Sequence, residues 1–244
     1  MAAVFGEQTV LYQADTLFPT ASSIKIAIVE EIFRQGLDLA QLVAVTAADF
    51  VGGSGVLATL TPGLALALGD LATLTLSVSD NTASNLCLRA VGGPDAVNAR
   101  LRAWGCTQTK IHRPIKFKLE EGDPPHTATG TPADFLRILA QIGPETKKRI
   151  ALVSDTAMLP RLLDVNAYAS DLRLAPPPFT LAHKPGAVTG VRNDVGFITC
   201  EGKILTAAIF TKDCPDPRWT VENAGCLAVA RVAQQLTEHF FGAG

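Results

Sequence analysis

Thr20-Ala21-Ser22-Ser23-Ile24-Lys25 is the stretch on which the reading of this chain turns. Strand-like residues, Gln8 to Tyr12, lead into it through Phe18-Pro19, and the apolar run Ile24 to Phe33 follows. The pattern predicts a helix from Ser22 to Gly36, with the glycine as its stop. Ser22 and Lys25 are three residues apart, so on a helix they share one face. A serine in a first helical turn lies among unpaired backbone N–H groups at the positive end of the dipole. Those groups can stabilise an alkoxide or a developing oxyanion. A lysine one turn along can take the hydroxyl proton if burial or a neighbouring cation lowers its pKa. Ser-x-x-Lys also occurs by chance, and a serine at a helix start is usually only an N-cap. Signals from further along the chain have to decide.

Composition narrows the classes. A chain of 244 residues with 48% hydrophobic and 18% charged side chains folds around a substantial core, as one large domain or two small ones. The formal net charge is -2 and no basic block stands out, which argues against nucleic acid and anionic membrane as partners. No apolar run reaches the roughly 18 residues of a membrane span. Cys87, Cys106, Cys200, Cys214 and Cys226 are odd in number and widely spaced, and read as free thiols rather than a metal or disulfide framework. His112, His126, His183 and His239 show no zinc-ligand spacing. No metal and no cofactor are expected. The N-terminus lacks a signal-peptide pattern, so the chain as it stands reads as cytoplasmic, or as secreted or periplasmic if a signal was removed.

In order, Val4 to Tyr12 reads as a hairpin around Gly6. Val51-Gly52-Gly53-Ser54-Gly55 reads equally as a pocket rim or an ordinary connector. Asp70 is expected to cap a helix carrying Leu71, Leu74 and Leu76. Ser79-Asp80-Asn81-Thr82-Ala83-Ser84-Asn85 forms a polar joint before a second helix, about Thr82 to Val91. Another helix is expected from Asp95 to Trp104. Ile111 to His126 is a long irregular segment of the kind that is often functional. Thr131-Pro132 opens a helix through Leu139. Ser154 to Leu163 reads as a helix, and Ala175-Pro176-Pro177-Pro178 as a stiff connector. Thr180 to Lys184, Asp194 to Cys200 and Lys203 to Phe210 read as antiparallel strands, with Glu201-Gly202 a tight turn. A helix from about Val221 to Phe241 covers one face of their sheet.

Three distant stretches now fall into one pattern: Ser22-x-x-Lys25, Ser79-Asp80-Asn81 and Lys184-Pro185-Gly186. Ser-x-x-Lys, Ser-Asp-Asn and Lys-Thr-Gly, in that order, mark class A β-lactamases and penicillin-binding proteins. The sequence resembles that serine hydrolase superfamily over nearly its whole length, with Thr131-Pro132-Ala133 and Arg192-Asn193-Asp194 adding to the likeness. The resemblance implies that Ser22 attacks a carbonyl, that Lys25 is the base, that Ser79 relays a proton and that Lys184 is the second cation. It implies substrate contacts from Asn81, Gly186, Ala187 and Arg192, with the backbone N–H groups of Ser22 and Ala187 as the oxyanion hole and with Lys184 and Arg192 drawing a substrate carboxylate. Asp80 is expected to be structural.

The chain departs from the family at three points. Proline stands at 185 in place of Thr or Ser, removing a hydroxyl that binds substrate carboxylate and a strand N–H, which only a sheet edge tolerates. No Glu-Pro-Glu-Leu-Asn stretch precedes the Thr-Pro helix, so the glutamate that activates the deacylating water has no counterpart beyond Glu120 or Glu121, which read as solvated carboxylates. The family's N-terminal helix has no counterpart either, so the expectation is that a partner chain, as in a homodimer, covers the apolar sheet face it would leave, or that the terminus has been cut or remodelled.

The expected fold is α+β: an antiparallel sheet flanked by helices, from residues 1–24 with 180–244, and an all-helical region, 25–179, with Ser22 in the groove between them. The expected function is a β-lactamase-like serine hydrolase acting on amide, lactam or ester carbonyls of a small molecule. Alternatives are a penicillin-binding-protein-like acyl-enzyme former with poor turnover, a hydrolase of a non-β-lactam amide or ester, and a non-catalytic binding module. Ser22 is expected within hydrogen-bonding reach of Lys25.

Overall fold

The computed structural model describes residues 1–153, 179–220 and 222–241. The expected helix Ser154 to Leu163 and the connector Ala175 to Pro178 lie outside the described residues, as does Val221.

A five-stranded antiparallel sheet organises both ends of the chain. Its strands are β1 (Ala2–Phe5), β2 (Gln8–Leu11), β8 (Phe179–Val188), β9 (Val191–Cys200) and β10 (Lys203–Phe210), in the order β2-β1-β10-β9-β8. The turn between β9 and β10 places Glu201 and Gly202 at φ 49° and 77°, the left-handed pair whose twist matches a tight hairpin. β8 and β9 run further than the sequence suggests. They meet at Thr189-Gly190, and Asn193-Asp194 lies inside β9 rather than ahead of it. β8 is an edge strand, so Pro185 costs the sheet no interior ladder bond.

Alternation along β9 sorts its residues to two sides. Ile198 packs with Leu205, Ala207 and Ile209 against α7 (Ala224–Phe241). Val195 and Phe197 pack on the other side, against the large helical cluster. At the heart of that cluster is α1 (Lys25–Arg34), in which Lys25 through Ile32 are all buried. Around it are α2 (Leu68–Ser77), α3 (Asn81–Ala90), α4 (Pro94–Ala103), α5 (Pro132–Gln141) and α6 (Pro144–Ile150). Two charges on α1 are buried with partners. Glu30 accepts from Gly143 N at 3.0 Å and from Thr146 Oγ1 at 2.6 Å, and Glu31 accepts from Arg100 Nε at 2.7 Å.

Thr131 caps α5 as expected, accepting from Asp134 N at 3.2 Å. Asp70 does not cap α2: the N-cap is Ala67, and Asp70 sits in the first turn. The expected helical region also carries short strands. β4 (Leu42–Val45) pairs with β5 (Leu64–Ala67), and β6 (Lys110–Ile111) pairs with β7 (Ala128–Gly130), which also pairs with β3 (Phe18–Pro19).

Candidate active site

Ser22 belongs to a 3-10 turn, Ala21–Ile24, that precedes α1. Three strands hold this turn. Thr20 N donates to Ala128 O on β7 at 3.1 Å, Asn193 Nδ2 on β9 to Pro19 O at 2.8 Å, and Ser23 Oγ to Lys184 O on β8 at 3.4 Å. Gly186 is what lets β8 come so near. A Cβ there would stand 2.8 Å from Thr20 O and 2.9 Å from Ser23 N. Ala21 holds φ 47°, a strained backbone for a residue with a Cβ.

Lys25, the first residue of α1, is fully buried. Its Nζ donates to Ser79 O at 2.6 Å, Ser79 Oγ at 3.2 Å and Asn81 Oδ1 at 2.8 Å. Ser22 Oγ is not among these partners, and among the described residues no hydrogen bond joins the two side chains. The 3-10 turn gives way to the α-helix between the two residues, and the amine turns toward the Ser79 loop. Burial pushes the Lys25 ammonium well below the usual lysine value, the Lys184 charge pushes it further down, and Asp80 acts against both. Lys184 Nζ, also buried, donates to Ser79 Oγ at 3.1 Å and to Pro185 O at 3.0 Å.

Ser79 links the two lysines, with its backbone at φ 57°. Asp80 caps α3 through Ala83 N at 2.8 Å, and its other oxygen accepts from Val56 N at 2.7 Å and Leu57 N at 2.8 Å. Its expected structural role is thereby explained: the carboxylate ties residues 51–57 to the joint between α2 and α3. Asn81 adds a bond from Nδ2 to Gly52 O at 2.9 Å. That segment is a pocket rim rather than a plain connector, because Gly52, Gly53 and Ser54 line the cavity above Ser22.

The cavity measures about 720 Å³, and Ser22, Asn81 and Ala187 all line it. Arg192 does not. Its guanidinium donates to Val188 O at 2.8 Å, Val191 O at 2.7 Å and Arg218 O at 2.9 Å, and lies 4.6 Å from the Trp219 ring centroid. Three of the five guanidinium N–H groups of Arg192 are thus taken by backbone carbonyls, which hold the side chain against Trp219. His183 likewise serves the sheet, bonding Asp194 through Nδ1 at 2.9 Å while Lys184 beside it reaches Ser79.

The 111–128 segment contributes lining residues that motif reading did not name. Ile115 is clamped by Asn85, which accepts from Ile115 N at 2.9 Å and donates to Ile115 O at 2.8 Å. Ile115, Phe117 and His126 line the cavity, as does Trp219 from the segment after β10. The length of the irregular segment was the one signal that pointed there. Among the described residues no Asp or Glu lines the cavity. Glu120 is exposed and paired with Lys116 at 3.1 Å, and Glu121 is exposed too, so neither stands in for the absent glutamate.

Comparison with known proteins agrees with this architecture. A model of the Beta-lactamase enzyme family matches residues 4–240. A β-lactamase of Streptomyces fradiae is 32% identical, over 95% of this chain and 77% of its own length. Another, of Streptomyces albus G, is 31% identical over 78% of this chain and 63% of its own. Among solved structures, the β-lactamase of Sphaerobacter thermophilus DSM 20745 superposes with a TM-score of 0.83 at 28% identity, covering 98% of this chain and 89% of that one. A point mutant of PBP-A, solved as an acyl-enzyme complex with penicillin G, shares the fold at a TM-score of 0.76 and 22% identity over 98% of this chain and 89% of that one.

Proposed function

The chain belongs to the β-lactamase enzyme family, and from that premise we propose that its acyl-enzyme forms on Ser22, with Lys25 as base and Ser79 as proton relay. It is a β-lactamase-like serine hydrolase. The observation that carries the assignment of roles is the single oxygen, Ser79 Oγ, held between Lys25 Nζ and Lys184 Nζ.

A neutral Lys25 amine has two N–H groups and one lone pair. Its two shortest contacts, Ser79 O and Asn81 Oδ1, take the two N–H groups, and the lone pair then faces the Ser79 hydroxyl, which in turn accepts from Lys184. This is the protonation state that the lowered pKa of Lys25 favours. In acylation Ser22 Oγ bonds to the carbonyl carbon and its proton passes to Lys25, which turns its lone pair toward Ser22 for that step. The backbone N–H groups of Ser22 and Ala187 stabilise the oxyanion. On collapse the bond to the leaving nitrogen or oxygen breaks. Ser79 gives that atom its proton and takes one back from Lys25, so the proton of Ser22 ends on the leaving group. The substrate is a small molecule, and the site lies where residues 1–24 with 180–244 meet residues 25–179.

Hydrolysis of the ester on Ser22 needs an activated water. With no carboxylate among the described lining residues, deacylation is the slow step, and the protein works as an acyl-enzyme former with poor turnover. A chromogenic cephalosporin followed by intact-protein mass spectrometry tests this. The expected result is a stoichiometric burst and a persistent adduct on Ser22, lost in Ser22→Ala. Fast steady turnover without an adduct would overturn the slow-deacylation reading. Failure of the cephalosporin and of p-nitrophenyl esters to label the protein would favour the inert binding module.

A further inference from the structure

The mouth of the cavity is unusually apolar for solvent-facing surface. Phe117 is 77% exposed, Trp219 66%, Leu119 48% and Val188 38%, and all four line this one cavity. Single exposed hydrophobic side chains are ordinary, whereas a group of them around a concavity marks a binding surface. They come from three separate segments, Phe117 and Leu119 from the irregular stretch between β6 and β7, Val188 from the far end of β8 and Trp219 from the segment after β10. All three are anchored. Asn85 clamps Ile115 two residues before Phe117, and the Phe117 ring lies against Gly52, within 3.4 Å of where a Cβ would stand. Arg192, fixed by three carbonyls, supports Trp219 from beneath.

The charges at the same cavity limit what can enter. The titratable side chains lining it among the described residues are Arg113, Lys116 and His126, with no carboxylate. Meanwhile Pro185 offers no hydroxyl, and three of the five guanidinium N–H groups of Arg192 are already taken by backbone carbonyls. We infer that Phe117, Leu119, Val188 and Trp219 select substrates whose acyl group is large, apolar and free of positive charge. This inference rests on acylation of Ser22 for its chemistry but not for its binding. Each methylene of the acyl chain that leaves water at this rim is worth up to about fourfold in kcat/KM.

The test uses p-nitrophenyl esters that share one leaving group and differ in acyl chain: acetyl, butyryl, hexanoyl, octanoyl and an octanoyl carrying a terminal ammonium. Release of p-nitrophenol is followed under single-turnover conditions, so that slow deacylation does not mask selectivity. The octanoyl-to-acetyl ratio of acylation rate constants is expected to exceed about thirtyfold. It should fall to a few-fold in a Phe117→Ser, Leu119→Ser double variant, and the terminal ammonium should cancel the gain. A flat series, or a ratio unchanged in the double variant, would overturn the inference while leaving acylation at Ser22 intact. In parallel, Ser22→Ala is titrated with N-methyloctanamide and N-methylacetamide, read by tryptophan fluorescence with Trp219→Phe as control for Trp104. Saturable binding of the octanamide alone supports the rim even if no ester acylates Ser22, which would sink the proposed chemistry instead. No preference between the two amides counts against the rim.

Discussion

Lys25 and Lys184 converge on one oxygen: Ser79 Oγ stands 3.2 Å from the first Nζ and 3.1 Å from the second. Two buried ammonium groups at such range repel, and the strain is relieved if one of them sheds its proton. Lys25 is held well below the usual lysine value, first by its burial and then by the Lys184 charge, with Asp80 acting against both.

The rate of acylation should therefore depend on pH in a way that identifies Lys25. Only the neutral amine acts as base, so the rate rises with pH through the lowered pKa and then levels. Lys184→Ala removes a charge that lowers that pKa, which moves the rise to higher pH. Once the rise lies above neutral pH, each further whole pH step costs about tenfold in rate at neutral pH. Asp80→Asn removes the opposing charge and moves the rise to lower pH. We expect these opposite displacements in acylation rate against pH with a neutral ester. Displacement in the same direction for both variants would mean that Lys25 is not the titrating base.

Gly186 admits no side chain. A methyl group would meet Thr20 O, Ser23 N and Ser23 Oγ at 2.8–2.9 Å, and two of those atoms are backbone of the turn that carries Ser22. Gly186→Ala must push β8 away from that turn, displacing Ala187 N from the proposed oxyanion hole. We expect a stability loss of about 1–3 kcal/mol and a fall in acylation rate of order a hundredfold. Urea denaturation and stopped-flow acylation separate the two effects. A well-folded variant with unchanged acylation would remove Ala187 from the oxyanion hole.

Asp80 accepts three backbone N–H bonds within a buried joint. Asp80→Ala leaves those donors without their acceptor and uncaps α3, so we expect a loss of about 2–4 kcal/mol. The urea midpoint measures it. A loss below about 1 kcal/mol would show that residues 51–57 are held instead by Asn81 and by Thr82, whose Oγ1 accepts from Val51 N at 2.9 Å.

How far the sequence carries is clear from particular residues. Asp80 is legible because an aspartate three residues before a helical N–H has one common use, and the structure shows that use. Pro185 is legible as an edge residue because a strand interior cannot spare the N–H. Arg192 is not legible: nothing local to it says that the turn at 189–190 and the carbonyl of Arg218 will take up its guanidinium. The helix α6 was missed because it has seven residues and buries only Thr146 and Ile150, too few to set a period. The cavity walls were missed for a similar reason. Ile115 and Phe117 lie in irregular backbone whose course is set by the Asn85 clamp, a contact across 30 residues of sequence.

That clamp makes residue 115 the place to test whether the missing carboxylate is what slows deacylation, as proposed. Asn85 fixes both the N–H and the C=O of Ile115, so the backbone there is held however the side chain changes. The side chain faces the cavity that also exposes Ser22. Ile115→Glu would put a carboxylate where a water could lie between it and an ester on Ser22, and a placed general base is worth about 10²–10⁴-fold. We expect the acyl-enzyme of Ile115→Glu to decay at least about tenfold faster than that of the parent, with acylation much less affected. Ile115→Gln has a similar length and no base, and its adduct should persist like the parent's. The accelerated decay should fade as pH falls through the carboxylate's pKa, since only the ionised form takes a proton from water. Intact-protein mass spectrometry after a pulse of cephalosporin follows each adduct directly. A long-lived adduct on a folded Ile115→Glu would mean that the attacking water approaches from another wall of the cavity.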